Sequence, residues 1–418
     1  MSRTIAERKE RLAKHADEVA ESVGTPALIF FEADVRRQYD RLRSALDAHY
    51  PDSTVHVAVK ANLVPGLLGL LADRGANAEA YANCEFEVAR RADFDPADIL
   101  LTGMNRDEST VRRILQAGTS QILVDNISEL RSLASVSRDL GIQCDVLLRV
   151  NPAVDIPTHP AITTGDRGSK FGMSVASGSA LEAVRRTVDA DGLRLHGLHC
   201  HLGSQIDSVE PYKVATQSLM DFVAEVRKET DETVDVLDIG GGFPIQYRES
   251  VPDIEAYAAA IGNEITAACT REGLDPVELY LEPGRYLLGP CGTLLGSVGV
   301  LKETPERRFA VLDAGTNTVL TRQEVPIYSP DADGEERTYA VVGPLCYSAD
   351  VFDENVTLQR LAEGDLVAID KVGAYTVGRE MHLNGAPRPP IVIIGDDGHR
   401  RVVREREACE DVIPGVNG

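Results

Sequence analysis

Short apolar runs alternate with amphipathic stretches along most of the chain. Strand-like runs fall at 55–59, 77–81, 99–103, 121–125, 145–150, 195–200, 235–239 and 278–282. Between most of them apolar positions recur at helical spacing, as in 109–117, 127–140, 178–190, 212–230 and 254–272. Eight strands alternating with helices over about 230 residues form the pattern of a parallel (β/α)8 barrel. A doubly wound open sheet is the competing α/β architecture. The count of eight, and the lack of a GxGxxG after the first strand, favour the barrel.

The flanks read differently. A charged helical start, MSRTIAERKERLAKHADEVAES, is followed by a short strand at 25–31 and a helix at 33–48. From about residue 300 strands at 309–312, 337–342, 365–371 and 390–394 are separated by Gly, Pro and Asp turns. The expected organisation is an N-terminal helix and strand over 1–32, a barrel over 33–290 and an all-β sandwich or barrel domain over 291–418. The early strand is expected to join the β domain, and the acidic tail at 405–418 to be loosely held.

Composition narrows the partners. At 418 residues and 43% hydrophobic, the chain can bury a large core. A net charge of -23 argues against nucleic acid and against anionic membrane surfaces. Arginine supplies 35 of the 43 basic residues. Dispersed acid with scarce lysine suits a high-salt cytoplasm, where carboxylates hold water and repulsion is screened. No apolar run approaches the roughly 20 residues that span a bilayer, and the start lacks an apolar signal core. A cytoplasmic protein is expected. The seven cysteines include no CxxC pair, which argues against a disulfide framework and a structural zinc site.

The strand ends carry the chemistry, because a parallel barrel places its reactive groups there. In order they offer Lys60-Ala61-Asn62, Glu79 with Glu85, Asn105, Arg149, the run 199–205 (HCHLGSQ), Gly240-Gly241-Gly242 and Glu282-Pro283-Gly284-Arg285. Lys60, at the mouth of a buried run, either extends to water or serves as a Schiff-base nucleophile. Three glycines before a helix let backbone N–H groups approach a phosphate, although a bare tight turn has the same composition. Arg285 can add a fork to that phosphate or close a rim ion pair. Glu282 could hold a protonated pyridine nitrogen, and His201 could stack on the ring. His199-X-His201 also has the spacing of a metal pair, but no third ligand lies at an obvious spacing, and no metal is expected.

These parts together suggest pyridoxal 5'-phosphate. The chain resembles the alanine-racemase-type (fold-type III) barrel family of pyridoxal-phosphate decarboxylases. The matching motifs run in family order: AVKAN (58–62), HCHLGSQ (199–205), DIGGGFP (238–244), EPGR (282–285), GPLCYSAD (343–350) and GAY (373–375). Within the family, Asn151-Pro152, Thr158-His159-Pro160 and Thr164-Gly165 leading to Ser169-Lys170-Phe171-Gly172 are most similar to diaminopimelate decarboxylases. The resemblance implies decarboxylation of an amino acid, most simply meso-diaminopimelate to L-lysine. It implies Lys60 as the cofactor's covalent partner, Glu282 at the ring nitrogen and His201 on the ring face. Ser204, Gly241, Gly242, Gly284, Arg285 and Tyr375 would surround the phosphate, with Arg285 and Tyr375 also reaching substrate. Glu79 and Glu85 match acidic positions near the cofactor, Glu79 standing where aspartate is usual. Cys346 would protonate Cα after carbon dioxide leaves. In the family this cysteine serves the neighbouring subunit's site, so a homodimer is expected.

Two departures concern the substrate. Tyr347 stands where diaminopimelate enzymes usually carry a glutamate that meets the distal ammonium. In the loop opened by Asp313-Ala314-Gly315-Thr316-Asn317, Thr321 stands where the family supplies an arginine, with Arg322 one residue on. Arg322 and the 165–168 loop could supply a substitute clamp for a distal carboxylate. The alternatives are a sibling decarboxylase acting on D-lysine, D-ornithine or another carboxylated amine, a catalytically silent regulatory relative, and an amino-acid racemase.

Overall fold

A computed structural model describes residues 3–152, 169–319, 324–330 and 334–413. The stretch 153–168, with Thr158-His159-Pro160 and the 165–168 loop, lies outside the described residues, as do Thr321 and Arg322. Two compact units divide the chain: 36–245 with 251–287, and 1–35 with 246–250 and 288–418.

The chain opens with α1 (Arg3–Val23) and β1 (Ala27–Phe31). The first-named unit is then built on β2 (Ser53–Ala58), β3 (Asn77–Ala80), β4 (Ile99–Leu101), β5 (Gln121–Val124) and β6 (Cys144–Asn151). After the two-residue β7 (Met173–Ser174) come β8 (Leu193–His199), β9 (Val236–Asp238) and β10 (Glu278–Leu281). All pairings among them are parallel; β10 bonds β2, and β5 bonds β6. The eight strands β2–β6 and β8–β10 thus close into a barrel, as the alternation of runs predicts. Leu100, Leu123, Leu147, Val236 and Tyr280 form one buried cluster within it. Helices at Ile127–Leu140, Glu210–Thr230 and Ile254–Glu272 fall where the helical spacing places them. The first ends on left-handed Gly141 and the third on left-handed Gly273, a conformation that costs glycine least.

The other unit holds a mixed sheet: β11 (Gly292–Glu303), β12 (Arg308–Leu312), β13 (Ile327–Tyr328), β14 (Glu336–Val342), β15 (Val351–Gln359), β16 (Leu366–Asp370), β17 (Ile391–Ile394) and β18 (Arg400–Arg404). β1 lies inside this sheet, antiparallel to β11 and parallel to β17. Its five residues are all buried, so it reads as a continuous apolar run rather than an alternation. Helix α1 packs Leu12, Ala16 and Val19 against Ile29, Phe31, Val392 and Ile394. Buried ion pairs fix it further: Arg8 meets Asp370 at 2.6 Å, and Arg11 meets Asp34.

Four strands of this unit escape the apolar pattern: β11, β13, β15 and β18. β11 is interrupted by Gly292, Gly296 and Gly299, β13 is only two residues long, and β15 and β18 are rich in exposed polar or charged positions.

Candidate active site

β2 ends at Ala58, and the next residues make a single 3-10 turn, Val59–Ala61. Lys60 therefore stands on a turn just beyond the strand. Asn62 is buried and closes that turn, its side-chain oxygen accepting from the Val64 N–H at 3.0 Å. The Lys60 ammonium does not simply extend to water. It is ion-paired with Glu79, whose side chain is 1% exposed at the end of β3. The other Glu79 oxygen accepts from the Thr102 hydroxyl, just past β4. Burial raises the Glu79 carboxyl above its ordinary range, outweighing the pull of Lys60 and Thr102 in the other direction. A carboxylate so placed can take a proton from the ammonium and leave a neutral amine nucleophile. Thr102 went unrecognised in the sequence, where nothing distinguishes it from any threonine in a loop.

Glu85 sits in the helix Asn83–Arg91, accepts from the Tyr81 N–H at 2.8 Å, and is likewise raised by burial. It closes the loop after β3.

Glu282 follows β10 and is buried; its own N–H donates to the Gly240 carbonyl at 2.9 Å. Burial alone would push this carboxyl up, but His199 first, and then Lys60, hold it well below the ordinary carboxylate range. Its Oε1 has no hydrogen-bond partner. A buried, ionised carboxylate with an unsatisfied oxygen suits a protonated ring nitrogen.

His201 Nδ1 accepts from the Gly241 N–H at 3.2 Å, which leaves the ring proton on Nε2. Burial first, then the Arg149 guanidinium, depress its pKa to about 3, so the ring is neutral. A neutral imidazole can lie on an aromatic face without a charge to desolvate. Arg149 itself lies two residues before the end of β6, near Asp125 at 3.7 Å and over the Phe171 ring at 4.5 Å. Asp125 also accepts from the Gly172 N–H at 3.1 Å, tying Phe171-Gly172 to the barrel mouth.

The glycine run is more than a tight turn. At Gly242, with φ +99°, a Cβ would meet the Tyr212 hydroxyl at 2.9 Å and collide with the Gly203 carbonyl. The run thus approaches the HLGSQ segment at backbone distance. Tyr212 clamps it from behind, its hydroxyl donating to the Gly241 carbonyl at 3.0 Å. On the same unit Arg285 Nε donates to Ser204 Oγ at 3.3 Å, and buried Gly284 makes the bend between Glu282 and Arg285. Lys60, Glu79, His201, Ser204, Gly241, Gly242, Glu282, Gly284 and Arg285 all belong to the barrel unit.

Cys346, Tyr347 and Tyr375 belong to the other unit. Cys346 is exposed, and Tyr347 is 53% exposed. Their loop is anchored by buried Asp350: Oδ2 accepts from the Leu345 N–H at 2.8 Å, and Oδ1 from the Thr316 N–H at 2.6 Å. The Cys346 N–H donates to Asn384 Oδ1 at 3.0 Å. Tyr375 adopts a left-handed φ of 58°. Asp350 and Asn384 were not singled out in the sequence, although Asp350 closes the GPLCYSAD motif.

A family model for the pyridoxal-dependent decarboxylases, describing their pyridoxal binding domain, matches residues 32–289. The chain belongs to this family. The decarboxylase is 32% identical over 408 residues to the diaminopimelate decarboxylase of Methanocaldococcus jannaschii, covering 95% of this chain and 92% of that one. It is 34% identical over 410 residues to the diaminopimelate decarboxylase of Methanothermobacter thermautotrophicus, covering 96% and 94%. The crystal structure of the M. jannaschii enzyme in co-complex with L-lysine matches with a TM-score of 0.89 at 31% identity, over 94% of this chain and 92% of that chain.

The residues present fit pyridoxal phosphate. Lys60 would supply the amine, Glu282 the unsatisfied anionic oxygen, His201 a neutral ring, and Ser204, Gly242 and Arg285 the donors for a phosphate. When bound, the cofactor supplies an electron sink for the bond between Cα and the carboxylate of an amino acid. The protein's part would be to hold that sink polarised through Glu282, to present His201 uncharged, and to take the Lys60 proton on Glu79.

Proposed function

We propose that this decarboxylase converts meso-2,6-diaminopimelate to L-lysine and carbon dioxide. Similarity to diaminopimelate decarboxylases over nearly the full length, including one in complex with L-lysine, is the observation that carries the reading. Lys60 joins the cofactor, Glu282 holds the ring nitrogen, and His201 covers the ring. Ser204, Gly241, Gly242, Gly284, Arg285 and Tyr375 receive the phosphate, with Arg285 and Tyr375 extending to the substrate. Cys346 returns a proton to Cα after carbon dioxide leaves. Carbon dioxide release from diaminopimelate, with Lys60→Ala as the blank, is the test.

The exposed Cys346 thiol and Tyr347 ring support a homodimer in which each copy's loop serves the other copy's site. A rigidly anchored loop that displays a thiol to solvent is arranged for a partner. Sedimentation of the enzyme, with loss of activity on dissociation, tests this.

A second reading is a sibling decarboxylase for D-lysine or D-ornithine. Tyr347 favours it, since a neutral hydroxyl replaces an acidic partner for a distal ammonium. Arg322 is assigned to the distal carboxylate of diaminopimelate, and its replacement by alanine tests that role.

The acidic surface is read as adaptation to a high-salt cytoplasm. Among the described residues no helix is long and apolar enough to cross a membrane.

A further inference from the structure

Glu282 shares its buried position with two groups that the assignments above leave unused. His199 closes β8, Asp238 closes β9, and the two are register partners across the parallel pair. One side-chain nitrogen or oxygen from each of His199, Asp238 and Glu282 lies within 4.8 Å of the others, and all three residues are buried. His199 Nε2 stands 3.6 Å from Glu282 Oε1. His199 Nδ1, Asp238 Oδ2 and Glu282 Oε1 have no hydrogen-bond partner. Asp238 Oδ1, by contrast, is engaged, accepting from the Gly240 N–H at 2.7 Å.

The titratable groups facing Glu282 come from several elements, among them the buried Cys200 thiol just after β8, which burial keeps neutral. His56 and Glu79 approach from β2 and β3, Lys60 from the turn after β2, and His199, His201 and Asp238 from β8 and β9 or just beyond. Asp238 and Glu79 bring no positive charge; a protonated Asp238 can donate to Glu282 but does not offset its charge. Lys60 is committed to the cofactor. His201 is neutral and brings no charge. His56 packs at a tilt against Tyr280, with ring centroids 4.4 Å apart and planes at 44°, and burial disfavours its charged form. His199 remains, with a ring nitrogen directed at Oε1.

We propose that His199 is a positioning residue for the decarboxylation: through Nε2 it holds Glu282 ionised and aimed at the ring nitrogen of the bound cofactor. Two carboxylates this close in a dry site cannot both be charged. Their environments drive them apart, Asp238 far above the ordinary range through burial and then Glu282, and Glu282 below it. Asp238 carries the proton and holds the glycine run, while Glu282 carries the charge and faces the ring. This assignment rests on the reading of Glu282 as the ring-nitrogen partner.

A double-mutant cycle tests it. His199→Asn, Glu282→Gln and the double variant are compared for cofactor dissociation constant and for the pH titration of the bound cofactor's absorption band. His199→Asn is expected to weaken cofactor binding about tenfold and to shift the band's titration, as loss of a contact to a buried charge does. Added to Glu282→Gln, it should change neither readout further. His199→Gln, which keeps an N–H at similar reach, should recover part of the affinity and carries the test where the asparagine variant does not fold. Additive losses, or a His199→Asn enzyme with both readouts unmoved, would overturn the proposal. A Glu282→Gln enzyme with wild-type band and affinity would instead remove the reading of Glu282, and the role of His199 with it.

Discussion

The Lys60 ammonium and the Glu79 carboxylate form an ion pair at the barrel mouth, with Glu79 buried and Lys60 partly open to solvent. This relationship gives the lysine a local proton acceptor before any cofactor arrives. Replacing Glu79 by glutamine keeps the shape and removes the base. Capture of pyridoxal phosphate by the apoprotein, followed by stopped-flow absorbance, should slow about a hundredfold, within the range of a lost general base. An unchanged rate would show that solvent, not Glu79, takes the proton.

Asp350 ties two loops together by accepting from Leu345 N–H and Thr316 N–H. Asp350→Ala leaves those partly buried donors without a partner, at a cost of about 1–3 kcal/mol. Amide exchange should accelerate across 313–317 and 343–350 and stay slow in the barrel strands. Turnover should fall because Cys346 is no longer held. Uniform acceleration throughout the chain would mean that Asp350 supports global stability alone.

His56 sets a pH dependence. It is fully buried on β2, and burial depresses its pKa from 6.5 to about 4. The unfolded chain binds a proton below about pH 6.5 while the folded chain resists it down to about 4. Stability from this group is thus complete above 6.5 and declines as pH falls toward 4, by about 3 kcal/mol over the full window. Denaturant midpoints of the apoprotein at pH 7.5 and 5 should differ more in the wild type than in His56→Gln. Equal differences would assign the acid sensitivity to other groups.

Much of the fold is legible because burial on both faces makes barrel strands into plain apolar runs. Glu79, His201 and Glu282 are legible for the same reason, since polar residues at the ends of such runs stand out. β11 is not, and Gly292 shows why. A Cβ there would meet the Gly373 nitrogen at 2.7 Å and the Phe30 ring at 2.9 Å. The glycine that argues against a strand is the residue that lets this strand pass so close. His199, Asp238 and Thr102 gain their meaning only from neighbouring strands, through pairings 23 to 83 residues apart that no local spacing reveals.

The net charge of -23 predicts salt dependence. Like charges spread over the surface repel less as the screening length shrinks, from about 10 Å at 0.1 M to about 3 Å at 1 M. The unfolding temperature should rise between 0.1 M and 2 M potassium chloride. Indifference to salt would sink the reading of a high-salt cytoplasm.

The most direct measurement is carbon dioxide release by the cofactor-loaded enzyme in high salt, with meso-diaminopimelate, D-lysine, D-ornithine, L-ornithine and L-arginine as substrates and Lys60→Ala as the blank. Release from meso-diaminopimelate at least tenfold faster than from any other substrate, with L-lysine as product, is the expected result. Preference for another amino acid, or no release despite bound cofactor, would contradict the proposed substrate and turn attention to Tyr347 and Thr321.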